Sequence, residues 1–158
     1  MKRMSWRDLV EGAPAAGRVL VVDDDAEIRK AVSRLLVRSG YRCQSAASAE
    51  EADQWLAWER CDVCLLDIEL PRMSGLEFLG WALKRDPEMA VIMLTGLDAP
   101  YVALECLDHG ARTFLVKPVE APFLIRAVRD AMALRGLLVE HNDRVGRTDP
   151  TGGVPWRA

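Results

Sequence analysis

From residue 18 onward, short apolar runs alternate with stretches whose apolar residues recur at helical spacing. Val19-Leu20-Val21-Val22 is a run of the kind buried on both faces of a parallel sheet, and Val63-Cys64-Leu65-Leu66, Val91-Ile92-Met93-Leu94 and Thr113 to Val116 read as further strands. Tyr41 to Ala46 is more mixed and reads as a peripheral strand. Between these runs, Ile28, Val32, Leu35 and Leu36 mark one helical face, and Gly40 supplies a stop at C′. Ser48, with Glu51 three residues on, is a capping box that opens a helix through Trp55 and Trp58. Gly75 to Arg85 reads as a helix with Leu76, Leu79 and Leu83 inward, closed by Asp86-Pro87. A fourth helix spans Pro100 to His109 before Gly110, and a last one runs from Glu120 or Ala121 to around Glu140. Five strand–helix units without hairpin signals imply an α/β fold, a parallel sheet with helices on both faces. Right-handed crossovers restrict it to a doubly wound sheet, whose sites lie at the carboxyl ends of the strands.

Composition narrows the picture rather than changing it. The 158 residues suffice for one domain, expected over 18–138, with an N-terminal extension at 1–17 and a tail or linker at 139–158. A net charge of −3 gives no bulk attraction to nucleic acid or anionic membrane. No run approaches the roughly 18–20 apolar residues of a membrane span, and the charged start, Met1 to Asp8, lacks a signal-peptide core. The expected address is cytoplasmic. Cys61-Asp62-Val63-Cys64 has CxxC spacing, which raises redox or zinc chemistry. No second CxxC accompanies it, His109 and His141 stand at no ligand-like spacing, and Cys64 sits inside a strand. The expectation for Cys43, Cys61, Cys64 and Cys106 is therefore covered thiols in a reducing compartment.

The chemistry appears when the strand ends are read together. Strands one, three, four and five end on Asp23-Asp24, Asp67, Thr95 and Lys117. Polar residues are ordinary at loop mouths, but a carboxylate cluster, a hydroxyl and a lysine on one rim form a specific set. Clustered carboxylates repel, and without compensation one pKa must rise. A hard divalent cation resolves the conflict, and magnesium favours few carboxylates, retained waters and a phosphate oxygen. With Lys117 as a second positive charge, the site suits an added dianion on Asp67, and an aspartate nucleophile making an aspartyl-phosphate is established chemistry.

Val19 to Asp25, Leu65-Leu66-Asp67-Ile68-Glu69-Leu70-Pro71-Arg72-Met73-Ser74-Gly75, Leu94-Thr95-Gly96 and Phe114 to Pro118 together resemble the receiver domain of bacterial two-component response regulators. The resemblance covers about Arg18 to Arg135. It implies a flavodoxin-like sheet of order 2-1-3-4-5 and Asp67 as phosphoacceptor. It also implies a Mg2+ site of Asp24, Asp23 (largely through water), Asp67 and the Glu69 backbone carbonyl. Thr95 and Lys117 would hold phosphate oxygens, the Lys117–Pro118 bond would be cis, and Thr95 and Phe114 would form the switch. Implied partners are a sensor histidine kinase or phosphotransfer protein and a downstream protein or output domain. By analogy the kinase docks on Ile28, Arg29, Val32, Val119 and Glu120. Such a chain is no enzyme beyond its own phosphotransfer and dephosphorylation. Asp25 is expected to begin the first helix, where a carboxylate suits the dipole. Phe114 replaces the tyrosine of many receivers, and Leu97 places an apolar side chain beside the phosphate, where it would hinder a hydrolytic water.

A haloacid-dehalogenase-like phosphatase is the alternative, since Asp23-Asp24-Asp25 contains an Asp-x-Asp. Against it, Glu27 stands where Thr or Val is expected, and Asp67 would have no role. A flavodoxin-type cofactor binder fits less well, because three aspartates would repel its phosphate. Leu134, Leu137, Leu138 and Val139 either finish the packing of the last helix or pair as a homodimer stalk. Trp6, Leu9 and Val10 read as a short helix or as disorder. Val139 to Ala158 is too short for an output domain, so the chain is either a stand-alone receiver or a fragment of a longer regulator.

Overall fold

The computed structural model describes residues 17–96 and 100–148. Among these residues five strands alternate with five helices: β1 (Arg18–Val22), α1 (Ala26–Arg38), β2 (Arg42–Ala46), α2 (Ala49–Trp58), β3 (Val63–Asp67), α3 (Gly75–Arg85), β4 (Ala90–Thr95), α4 (Pro100–Asp108), β5 (Thr113–Val116) and α5 (Ala121–Thr148). All pairings are parallel, in the order β2-β1-β3-β4-β5. The sequence order reverses between β1 and β3, so the crevice above their ends is the switch point.

Strand alternation builds two cores. Val19, Val21, Val63, Leu65, Ile92 and Leu94 face α1 and α5, where they meet Leu36, Leu124 and Val128. Leu20, Val22, Cys64, Leu66, Val91 and Met93 face the other way, onto Ala52 of α2, Phe78 and Leu79 of α3, and Ala103 of α4. The central strands β3 and β4 are buried throughout, which is why their sequences show no polar alternation.

The helix ends follow their local signals. Asp25 caps α1 by accepting from the amides of Glu27 and Ile28, and Gly40 leaves it at φ 94°. Ser48 accepts from the Glu51 amide at 3.2 Å, while the Glu51 carboxylate reaches the Ala47 amide one residue before the cap. Ser74 caps α3 in the same manner, accepting from Glu77.

Several expectations need correction. Val32 is buried against the α1–α5 core, so it is not available as a docking residue. Phe78, not one of the three leucines alone, is the largest buried side chain of α3. α2 does run through Trp55 and Trp58 as expected, and the Trp58 ring projects from its end at 87% exposure. The last helix does not end near Glu140 but continues to Thr148, so the start of the expected tail is helical. Leu137 is exposed on it and Leu134 is partly so, so Leu137 does not serve the packing of the helix. Arg135 goes the other way: it is 7% exposed and pairs with Asp62 at 2.9 Å and Asp86 at 3.3 Å. Trp6, Leu9, Val10, Leu97 and the segment from residue 149 lie outside the described residues.

Candidate functional site

The acidic run leaving β1 divides among three destinations. Asp23 prolongs the ladder, its amide donating to the Ala46 carbonyl, and its side chain is fully buried. Its Oδ1 accepts from the Asp25 amide at 2.9 Å, turning the chain into α1. Asp24 points to the solvent rim, and Asp25 serves as the helix cap. With Asp25 committed to backbone amides, Asp23 and Asp25 do not form a working Asp-x-Asp pair.

Asp67 ends β3 beside them. Carboxylate oxygens of Asp23, Asp24 and Asp67 lie within 4.8 Å of one another. Lys117, entering from the end of β5, places its Nζ 2.7 Å from Asp23 Oδ2 and 2.9 Å from Asp67 Oδ2. The other Asp67 oxygen accepts from the Glu69 amide at 3.0 Å. Burial above all lifts the Asp67 carboxyl, and the Asp23 charge adds to it; the hydrogen bonds from Lys117 and Glu69 oppose them, leaving it at about 6. Burial alone would lower the Lys117 ammonium, but its contacts with Asp23 and Asp67 outweigh that and raise it. One ammonium therefore serves a cluster of three carboxylates.

Such an excess of negative charge favours an added cation. Asp23 Oδ2 is buried and meets the ammonium closely, yet accepts no well-directed hydrogen bond. A hard, oxygen-seeking ion fits such a donor set. The Glu69 backbone stands at the same mouth, its amide tied to Asp67.

Thr95, at the end of β4, is 2% exposed and its hydroxyl donates to the Gly96 carbonyl at 3.0 Å. Its own carbonyl accepts from the Lys117 amide at 2.7 Å, which joins the β4 and β5 rims. The Lys117–Pro118 bond is cis. Phe114 lies half-buried against the core beneath α2, α3 and α4.

Two contributors were not legible as site residues. Arg29, read from sequence only as a docking residue, donates its guanidinium to the Asp23 carbonyl at 2.7 Å. Gly75, read as a loop former, packs onto the strand end itself: a Cβ there would meet the Asp67 carbonyl oxygen at 2.1 Å and Ile68 Cα at 2.8 Å. The cysteines stay apart from this chemistry. Burial pushes Cys61 up to about 12 and Cys64 well above the usual thiol range, and all four are free.

The response regulator receiver domain model matches residues 19–129. The C4-dicarboxylate transport transcriptional regulatory protein DctD of Rhizobium meliloti is 34% identical over 127 residues, 80% of this chain and 28% of that protein. The response regulator protein PilR of Pseudomonas aeruginosa is 36% identical over 118 residues, 75% of this chain and 26% of that one. Among solved structures, the receiver domain of NtrX from Brucella abortus superposes with a TM-score of 0.71 at 32% identity, covering 73% of this chain and 98% of that domain. The chain thus spans about a quarter of the length of the two curated relatives.

Proposed function

Since the chain belongs to the response regulator receiver domain family, we propose that Asp67 is its phosphoacceptor and that Asp23, Asp24, Asp67 and the Glu69 carbonyl hold Mg2+. The observation that carries this reading is the Asp67 carboxylate, fixed by Lys117 and Glu69 beside two further carboxylates. Bound magnesium supplies neutralising charge for an incoming phosphoryl group. Lys117 orients the Asp67 Oδ2 atom and takes a phosphate oxygen after transfer. Thr95 offers the second contact from β4, once its hydroxyl leaves the Gly96 carbonyl.

Receiver domains of response regulators work with histidine kinases and output domains, and the phosphoryl donor proposed here is a sensor histidine kinase or phosphotransfer protein. The chain's own catalysis is confined to acquiring and losing that group, in the cytoplasm. Among the described residues no helix is long and apolar enough to cross a membrane. Thr95 and Phe114 carry the change to the α4–β5–α5 surface, since a phosphoryl group adds about −1.5 to −2 charge with three acceptor oxygens. Leu134 and Leu137, exposed on the extended α5, offer a pairing stripe for a homodimer. The domain is taken as 18–138, with α5 continuing into the connection beyond.

Intact-mass spectrometry after acetyl phosphate and Mg2+ treatment tests the assignment. One added phosphoryl group is expected on the wild type and none on Asp67→Asn. Equal labelling of the two proteins overturns it.

A further inference from the structure

The bend between β1 and α1 commits nearly every polar group it contains. The Asp23 amide donates to the Ala46 carbonyl at 3.1 Å, and the Asp23 carbonyl accepts from the Arg29 guanidinium at 2.7 Å. Asp23 Oδ1 accepts from the Asp25 amide at 2.9 Å. Asp25 caps α1 with its side chain and takes the Arg29 amide on its carbonyl at 3.0 Å. Asp24, between them, is exposed, and its carboxylate makes no ion pair among the described residues. Two of these bonds fall on the peptide groups that flank Asp24. Arg29 holds the carbonyl of the peptide before it, and Asp23 Oδ1 holds the amide of the peptide after it. Peptide groups are planar, so fixing both planes fixes φ and ψ of Asp24 and the direction in which its side chain leaves the chain.

The Arg29 bond runs against the local preference of its helix. Arg29 is the fourth residue of α1 and folds back past the Asp25 cap to reach Asp23, toward the end where the helix dipole disfavours a cation. A charge-assisted bond of this length offsets that cost. The Asp23 carbonyl lies ahead of the cap and outside the helix ladder, and no backbone amide of the described residues donates to it. Arg29 is therefore its donor.

We propose that Arg29 is a positioning residue for the cation: by clamping the Asp23 carbonyl it aims the Asp24 carboxylate at the point shared with Asp23 and Asp67. The inference rests on the Mg2+ site proposed above and assigns that site a residue outside its ligand set. Of the three carboxylates, Asp23 is buried and Asp67 is held by Lys117 and Glu69, whereas Asp24 has only its backbone to direct it. Two effects of the guanidinium oppose each other. As a charge near the cluster it repels a divalent ion, so removing it would tighten binding. As a clamp it orients a ligand, and losing such outer partners costs about 10–100-fold in metal affinity. The rim is open to solvent at Asp24, where water and salt weaken the repulsion, so the clamp outweighs the charge.

Mg2+ titrated into the 15N-labelled, unphosphorylated full chain is the direct test, read at the Asp67 and Glu69 amides. Arg29→Met keeps an unbranched stem with good helix propensity and should bind Mg2+ about 10–100-fold more weakly than the wild type. Arg29→Lys, which can still donate one bond, should fall between them. Asp24→Asn should also weaken binding, and the double variant should bind no more weakly than Asp24→Asn alone, because Arg29 acts through Asp24. A general loosening of the fold would add to the Asp24→Asn loss instead. Acetyl phosphate offers no protein surface for docking, so it isolates this role from any contact with a kinase. With that donor, the Mg2+ concentration for half-maximal labelling of Arg29→Met should rise by the same factor, with a smaller change in the maximal rate. The inference is overturned if Arg29→Met binds Mg2+ as tightly as the wild type or more tightly, or if the two losses add in the double variant. A wild type that binds no Mg2+ would overturn the metal site itself, and this role with it.

Discussion

Replacing Gly75 by alanine drives a methyl group into the backbone that carries Asp67. The added Cβ would stand 2.1 Å from the Asp67 carbonyl oxygen and 2.9 Å from its carbonyl carbon, where even a close C···O contact needs about 3.3 Å. More than an ångström must therefore open between the start of α3 and the end of β3. Neither side is a flexible side chain that can swing away. Forced overpacking of this kind costs about 1–3 kcal/mol. The 2.9 Å bond from the Gly75 amide to the Ile68 carbonyl is stretched as well, adding about 0.5–1.5 kcal/mol. Alanine's better helix propensity returns at most about 1 kcal/mol, so a net loss of about 1–3 kcal/mol is expected in urea unfolding. A carboxylate moved by about 1 Å also reacts more slowly, by up to about 100-fold, which acetyl phosphate labelling would read. Gly80, in the same helix with nothing within 4 Å of its would-be Cβ, is the control. Gly80→Ala should gain about 0.5–1 kcal/mol and label normally. If Gly75→Ala unfolds and labels like the wild type, the close approach does not shape the site; if Gly80→Ala is equally harmed, the effect belongs to α3 in general.

Asp24→Ala should weaken magnesium binding and labelling far more than Asp25→Ala, which should instead cost about 1 kcal/mol of stability as a lost cap; calorimetric titration and urea melts separate the two, and equal losses of metal affinity would contradict the division of the acidic run. The Asp67 carboxyl, at about 6 in the fold against an ordinary 3.8, stabilises the metal-free protein fully only below pH 3.8, and that contribution is lost as pH rises through about 6. Magnesium should accordingly raise the melting temperature more at pH 7.5 than at pH 5, where protons compete for the ligand; equal increments would refute this. Thr95→Ala should still accept a phosphoryl group yet show smaller amide shifts in α4 and β5 on beryllofluoride addition, and a full wild-type shift pattern would exclude Thr95 as the coupling residue.

The sheet and the rim were legible because their signals are local. Fully buried strands must be apolar, and the residue after each one is where the chain emerges, so Asp23, Asp67, Thr95 and Lys117 could be read by position alone. Residues whose roles depend on distant partners could not. Arg135 looks like any surface arginine of an amphipathic helix; it is buried because Asp62 and Asp86 meet it from two separate loops. Gly75 carries the residue type of an ordinary turn, and only the three-dimensional approach of α3 to β3 reveals why a side chain is excluded. The length of α5 was hidden by Gly146 and a polar composition that suggests a linker, whereas the Asn142 side chain is tied to Glu88 at 2.7 Å. Val32 shares its helical face with Ile28 and both pack on the same core, but one turn decides which of them is fully covered.

The clasp at Arg135 also has a mechanical meaning. With the 2.7 Å contact of Asn142 to Glu88 it holds α5 at two points, about 10 Å apart along the axis at 1.5 Å per residue, both on the segment that follows α3. One anchor would leave a rod free to swing; two fix its direction. The C-terminal half of α5 is therefore aimed by the segment carrying Asp86 and Glu88, and a shift of that segment would re-aim the helix as a unit.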